Sequence, residues 1–349
     1  MMIYNTKIKT IIPLLNVAES KTNGLDRLII DLEKNSDKIE LPIKHFGNAK
    51  LTFNFSDEIS RNDFDKKKNY ELFLTIDSEL DLDLFKIAED AKMDTNGDGE
   101  IPIELYDKIK EIIPDFSPKW NDFPPVLIVP VAYKLFHNTY LTHFLRLTQI
   151  AHPGTLWLDD ANAYMNDSQI KGIEGFTSIL FEYDFKSNNW PPIMDMSISQ
   201  VWNYVNNKTT ILNEFSKNEI ERAFNAFSYI FSRHYIDNIP VSLFWTISGL
   251  EALFVKGEVG ITQQLNEKIQ VFLGDIKEDK KRLKKLYNYR SSLIHGGLNI
   301  PINDSIFENE KYQMELYEMN AFAAAVLIAS LQKIISKDLT ELVFRYEYK

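Results

Sequence analysis

The chain has 349 residues, enough for two domains, and is 44% hydrophobic and 26% charged, which excludes a disordered polymer. Its 39 basic and 50 acidic residues leave a net charge of −11, which argues against a protein that simply coats nucleic acid, although a local basic patch remains compatible with it. There is no cysteine, so disulfides, thiolate chemistry and sulfur-ligated metals are ruled out.

From Leu28 to about Ile76 the pattern is close to a period of two. Short strands are predicted at Leu28–Leu32, Lys38–Ile43, Lys50–Phe55 and Tyr70–Ile76, forming an antiparallel sheet with one wet face. Two short helices are predicted between about Asp83 and Ile113, around the turn Asp94-Thr95-Asn96-Gly97-Asp98-Gly99-Glu100. Val126–Val131 reads as a strand, with Pro130 favouring a sheet edge. Further strands are predicted at Thr142–Gln149, Thr155–Leu158 and Thr177–Phe185. The Asn- and Pro-rich segment Lys186–Pro192 marks a domain boundary.

Beyond it the periodicity is helical. Helices are predicted over Ser197–Tyr204, Lys217–His234, Asn238–Val255, Thr262–Leu273, Glu278–His295 and Tyr312–Ser336. Asn238–Val255 is apolar on almost every side and reads as the central helix, with Trp245 and Phe254 in its core. The longest apolar run, Ala321–Leu331, is short for a membrane span and reads as a buried helix. With no uninterrupted apolar stretch after Met1, the expectation is a cytoplasmic protein with no membrane partner. The fold class is therefore α+β: a β-rich mixed domain over 1–190, an all-helical bundle over 197–337, and a tail at 338–349.

The 94–105 loop resembles the start of an EF-hand. Asp94, Asn96 and Asp98 stand at the first three oxygen-donor positions, Gly99 permits the turn, and Glu100 offers its carbonyl. Leu105 replaces the terminal bidentate acid, with Glu104 one residue early. Two readings stand, a structural calcium site and an Asx-rich turn.

The window with most chemistry in it is Leu286-Tyr287-Asn288-Tyr289-Arg290-Ser291-Ser292-Leu293-Ile294-His295-Gly296-Gly297. Leu283, Leu286, Arg290 and Leu293 share the apolar stripe, while Asn288, Ser291, Ser292 and His295 share a polar one, and the two glycines end the helix. Arginine offers a fixed donor fork to a phosphoryl group, and histidine transfers protons near neutral pH. On an ideal helix, residues five apart point about 140° apart, so Arg290 and His295 converge only through distortion or a second subunit. Taken alone, an arginine on an apolar stripe is a structural ion-pair residue and a histidine before glycine is a helix cap.

The window resembles the Arg-x4-6-His signature of HEPN domains, most closely the ApeA-like branch. Ser248-Gly249-Leu250-Glu251-Ala252-Leu253-Phe254 resembles that branch's Leu-Glu-Ala-Leu segment, and Arg222–Phe227 adds to it; the likeness covers about residues 197–337. It implies a metal-independent endoribonuclease, working as a homodimer with Arg290 and His295 at the interface and needing no cofactor for catalysis. The 2′-hydroxyl of RNA would be the nucleophile, and the setting a prokaryotic antiphage or toxin system. Glu251 is the only formal charge between Val241 and Val255, and Arg290 is its expected partner. Asn288 and Ser291 are the expected supporting groups. The segment Lys277–Arg290 carries seven basic and two acidic residues, a local charge of +5, so Lys281, Lys284 and Lys285 form either a solvated face or a track for RNA. The N-terminal domain would sense a phage-derived or cellular trigger. The competing reading is a catalytically inactive HEPN scaffold that binds partners or nucleotide.

Overall fold

A computed structural model of the chain describes residues 3–15, 22–35, 40–43, 47–56, 70–83, 136–155, 157–158, 161–165, 168–170, 176–177, 190–212, 215–231, 239–257, 259–276, 280–297 and 310–345. A mixed β-sheet region is followed by a helical bundle. The chain forms two compact units, Met1–Leu145 with Leu158–Gly175, and Arg146–Trp157 with Phe176–Lys349.

The first unit is built on an antiparallel sheet. Strands β1 (Ile3–Leu15), β2 (Glu40–Ile43), β3 (Gly47–Ser56) and β4 (Tyr70–Asp83) lie in the order β2-β3-β4-β1. β1 also pairs through Leu14 with Leu158 of β5 (Trp157–Leu158) and along its middle with β6 (Asn162–Met165), which pairs with β7 (Ser168–Ile170). The pleat sorts the side chains. Ala49, Leu51 and Phe53 are buried while Lys50, Thr52 and Asn54 are exposed, and across the ladder Leu80, Ser78 and Ile76 share the inner face with Ile8 and Thr10. The alternation holds along β3 and the first half of β1, whereas Ile11, Phe73 and Thr75 on the opposite face are buried as well, so the expected wet face covers only part of the sheet.

Two of the predicted strands are helices. Leu28–Leu32 belongs to α1 (Thr22–Asn35), because Leu25, Leu28, Ile29 and Leu32 follow three- and four-residue spacing. A short apolar run fits either period, and only the helix buries Leu28 and Leu32 together while leaving Ile30 48% exposed. Thr142–Gln149 lies in α2 (Thr142–Ala151), entered through a π-helical turn at Phe136–Leu141. Burial on most sides, from Phe144 and Leu145 through Leu147 to Ala151, hides its helical period. Phe144 stacks on Phe53 with ring centres 5.5 Å apart, and His137 Nε2 lies 2.9 Å from Thr10 Oγ1. Burial pushes the His137 imidazole down to about 3, so it remains neutral. The predicted helices between 83 and 113, the 94–105 loop with Asp94, Asn96, Asp98, Glu100 and Glu104, and the strand at 126–131 lie outside the described residues.

The second unit includes a two-residue strand β8 (Phe176–Thr177) and the helices α3 (Ile198–Lys208), α4 (Glu219–Tyr229), α5 (Ile239–Phe254), α6 (Ile261–Leu273), α7 (Lys280–Ile294) and α8 (Glu310–Ser336). Ser197 and Gln200 form a capping box that starts α3, and Asn218 caps α4. α8 is the shared wall, touching α3, α4, α5, α6 and α7. Its stretch Met314–Ser336 is apolar and long enough to cross a membrane, with mean hydropathy 1.5, yet 89% of the relevant window is buried inside the unit. Gly249 of α5 lets Leu327 approach: a Cβ there would lie 3.0 Å from a leucine methyl and 3.3 Å from Ala226. Gln332, fully buried, joins α8 to the chain around it by donating to the carbonyls of Ile150 (2.7 Å) and Met194 (3.1 Å) and accepting from Met194 N–H (2.8 Å). Beyond α8 the chain still packs on the unit, with Leu342 only 4% exposed.

Candidate functional site

α5 and α7 bring the sequence-predicted residues together in part. Leu283 and Leu286 are buried, and one turn further on Arg290 stands on the same inward stripe. Its Nη2 donates to Glu251 Oε2 at 2.9 Å, with both side chains 19% exposed. Glu251 therefore has the partner its position required. This is the only side-chain hydrogen bond Arg290 makes among the described residues, and Glu251 Oε1 is buried with no hydrogen-bond partner there. Burial pushes the Glu251 carboxyl above its ordinary value, and the attraction of Arg290 only partly opposes it.

His295 is fixed by the end of α7. Its N–H donates to Ser291 C=O (3.0 Å), Gly296 adopts a left-handed φ of 68°, and Gly297 N–H reaches Ser292 C=O (2.8 Å). That six-residue closure is a Schellman end, which any side chain at Gly296 would strain. The imidazole is exposed. It closes a row along the outer face of α7, made of Lys281, Lys284, Lys285, Asn288 and the half-buried Ser292 at three- and four-residue steps. Ser291 is half-buried beside this row. Lys285 pairs at 3.4 Å with Glu315, both exposed, whereas Arg282 turns inward and places its guanidinium 4.5 Å from the Phe322 ring centre.

Within one copy, then, Arg290 points toward α5 and His295 toward solvent, as the five-residue spacing implied. Tyr289 OH lies 3.4 Å from Tyr312 OH, and burial raises the Tyr289 phenol above its ordinary value, which keeps it neutral. Phe254 is fully buried, as expected. Trp245 is not in the core: it is half-buried and stacks on Tyr229 with ring centres 4.4 Å apart and planes within 18°. The outer face of α5 at Val241 is only partly covered, so the tryptophan covers an edge. Among the described residues no three His, Asp or Glu side chains gather where a metal ion would sit.

No protein-family model matches the chain, and neither do any curated protein or solved structure.

Proposed function

We propose that the helical unit is an ApeA-like HEPN domain and that the chain is a metal-independent endoribonuclease. The observation that carries this reading is the two-sided build of α7. One side holds an arginine oriented by a single carboxylate oxygen, and the other leads a row of lysines to an exposed histidine. The remaining guanidinium donors of Arg290 suit a phosphoryl group, on which negative charge builds during transfer. In the reaction the RNA 2′-oxygen bonds to phosphorus as the P–O5′ bond breaks, leaving a 2′,3′-cyclic phosphate and a 5′-hydroxyl. A histidine takes the 2′-hydroxyl proton, and a proton returns to the departing 5′-oxygen. Because Arg290 and His295 face apart within one copy, the working pocket joins these residues from two copies of the chain. Lys281, Lys284 and Lys285 hold the RNA backbone, Asn288 and Ser291 assist at the phosphate, and the 1–190 region senses a phage-derived or cellular trigger in the cytoplasm.

A second reading is favoured by the Glu251–Arg290 pair itself, which is also what a structural ion pair in a non-catalytic scaffold looks like. One experiment separates the two. Wild type and His295→Ala are incubated with RNA in EDTA, and product ends are mapped. Cleavage by wild type to cyclic phosphate ends, lost in the variant at unchanged helical content, supports the nuclease. A variant as active as wild type removes His295 from the mechanism, and an inactive wild type leaves the scaffold.

A further inference from the structure

The start of α6 is built around one glutamine. Gln264 Nε2 donates to the carbonyls of Lys256 (3.0 Å) and Val259 (2.9 Å), while its Oε1 accepts from Lys256 N–H (3.0 Å) and Lys268 Nζ (2.7 Å). Gly257 and Gly260 supply the left-handed turns, with φ of 75° and 66°, that bring the chain round. Gly260 is the N-cap residue and contributes no side-chain cap, so among the described residues no side chain caps the first N–H groups of α6. A cleft of about 500 Å3 opens at this point, walled by Lys256, Lys268, Gln263, Gln264, Glu267 and Phe344.

Its electrostatics are unbalanced. Lys268 is only 6% exposed, lies 5.4 Å from the Phe344 ring centre, and has no ion pair among the described residues. Lys256, exposed at the rim, has none either. Burial first, and then the nearby Lys256 charge, push Lys268 below the ordinary lysine range. The carboxylate on the wall, Glu267, accepts a hydrogen bond from Gln263 Nε2 at 2.7 Å. A buried ammonium beside a second cation and a helix start whose N-cap residue is a glycine favours negative charge.

We propose that this cleft is a binding site for a small phosphomonoester, its phosphate held between Lys268, Lys256 and the first N–H groups of α6, with Phe344 as the wall for the organic part. The volume lies within the range of small-molecule pockets and exceeds what a bare phosphate fills. The proposal is independent of the nuclease reading, since it uses no residue of α7.

The test is titration of the full chain with inorganic phosphate at constant ionic strength, read by calorimetry and by thermal unfolding. Saturable binding is expected, with the melting temperature rising by about 2–6 °C at a tenfold excess over the Kd. Lys268→Met should weaken binding by about 10- to 100-fold, the loss of one charge-assisted hydrogen bond, yet melt no lower than wild type without phosphate. Lys256→Gln, at an exposed position, keeps the test available should Lys268→Met fail to fold, and is expected to weaken binding by about 2- to 5-fold. A non-saturating rise of the same size in wild type and variants would be a general salt effect and would overturn the site, as would no heat of binding at about 50 mM phosphate.

Discussion

Removing Arg290 tests whether Glu251 is held ionised by it. At roughly 4 Å between charge centres and an effective dielectric of about 20, the gross attraction is about 4 kcal/mol. Both groups retain 19% exposure, and burial already acts against the Glu251 carboxylate more strongly than Arg290 supports it, so the net coupling should be smaller, about 1–3 kcal/mol. Arg290→Ala is therefore expected to cost about 2–3 kcal/mol at pH 8. The cost should shrink on acidification. A carboxyl whose folded pKa is raised contributes stability that is fully present below its unfolded pKa and is lost as pH rises through the folded value. Without Arg290 the folded value moves further up, so variant and wild type diverge most at high pH and draw together as the pH falls and the carboxyl takes up its proton. Glu251→Gln should lose this pH term, and the double variant Glu251→Gln/Arg290→Ala should recover part of the Arg290→Ala loss. Urea denaturation of the four proteins at pH 5 and pH 8 measures this. A loss for Arg290→Ala that is the same at both pH values, or strictly additive losses, would refute the coupling.

Three further outcomes are expected. Replacing Lys281, Lys284 and Lys285 together by alanine should weaken RNA binding and reduce the slope of log K against log salt by about 2, read by fluorescence anisotropy across a salt series, with stability changed by less than about 1 kcal/mol because all three are exposed. An unchanged slope would show that this face is merely solvated. Gln332→Leu should destabilise the helical unit by about 3 kcal/mol, since two carbonyls and one N–H lose their partner in the interior, and a urea midpoint equal to wild type would contradict the bonding described. Asp94→Ala combined with Asp98→Ala should lower the melting temperature only when calcium is present, and calorimetry with no calcium uptake by wild type at millimolar concentration would leave the Asx-rich turn.

The helical half was legible because its elements are amphipathic and long. Ile220, Ala223, Phe224, Phe227, Ile230 and Phe231 sit at helical spacing in the sequence, and all are buried. The Glu251–Arg290 pair was legible from the cost of burying one charge in an apolar helix. The sheet half was harder to read. α1 and α2 mimic strands because apolar runs as short as Leu28–Ile30 and Phe144–Leu145 carry too few turns to reveal their period. β1 was missed although Lys7-Ile8-Lys9-Thr10 alternates outward and inward, since Ile11, Ile12 and Pro13 then bury consecutive residues and break the pattern. Lys268 carried a signal that went unread, a lysine on the same stripe as Leu265 and Ile269. The relation between Trp245 and Tyr229 was not readable at all, because it depends on how α4 and α5 cross.

The placement of α8 has a consequence for synthesis. The other helices of the unit all precede it in the chain, and each leans on the face that α8 supplies. During N-to-C translation at about 5–20 residues per second, α4 to α7 can pack on one another as they emerge, but the apolar surface that α8 covers stays open. α7, with its lysine row and His295, is made before α8, one of the three helices it packs against. A chain stalled before α8 would therefore expose the apolar surface that α8 covers, although both members of the Glu251–Arg290 pair lie on helices already made.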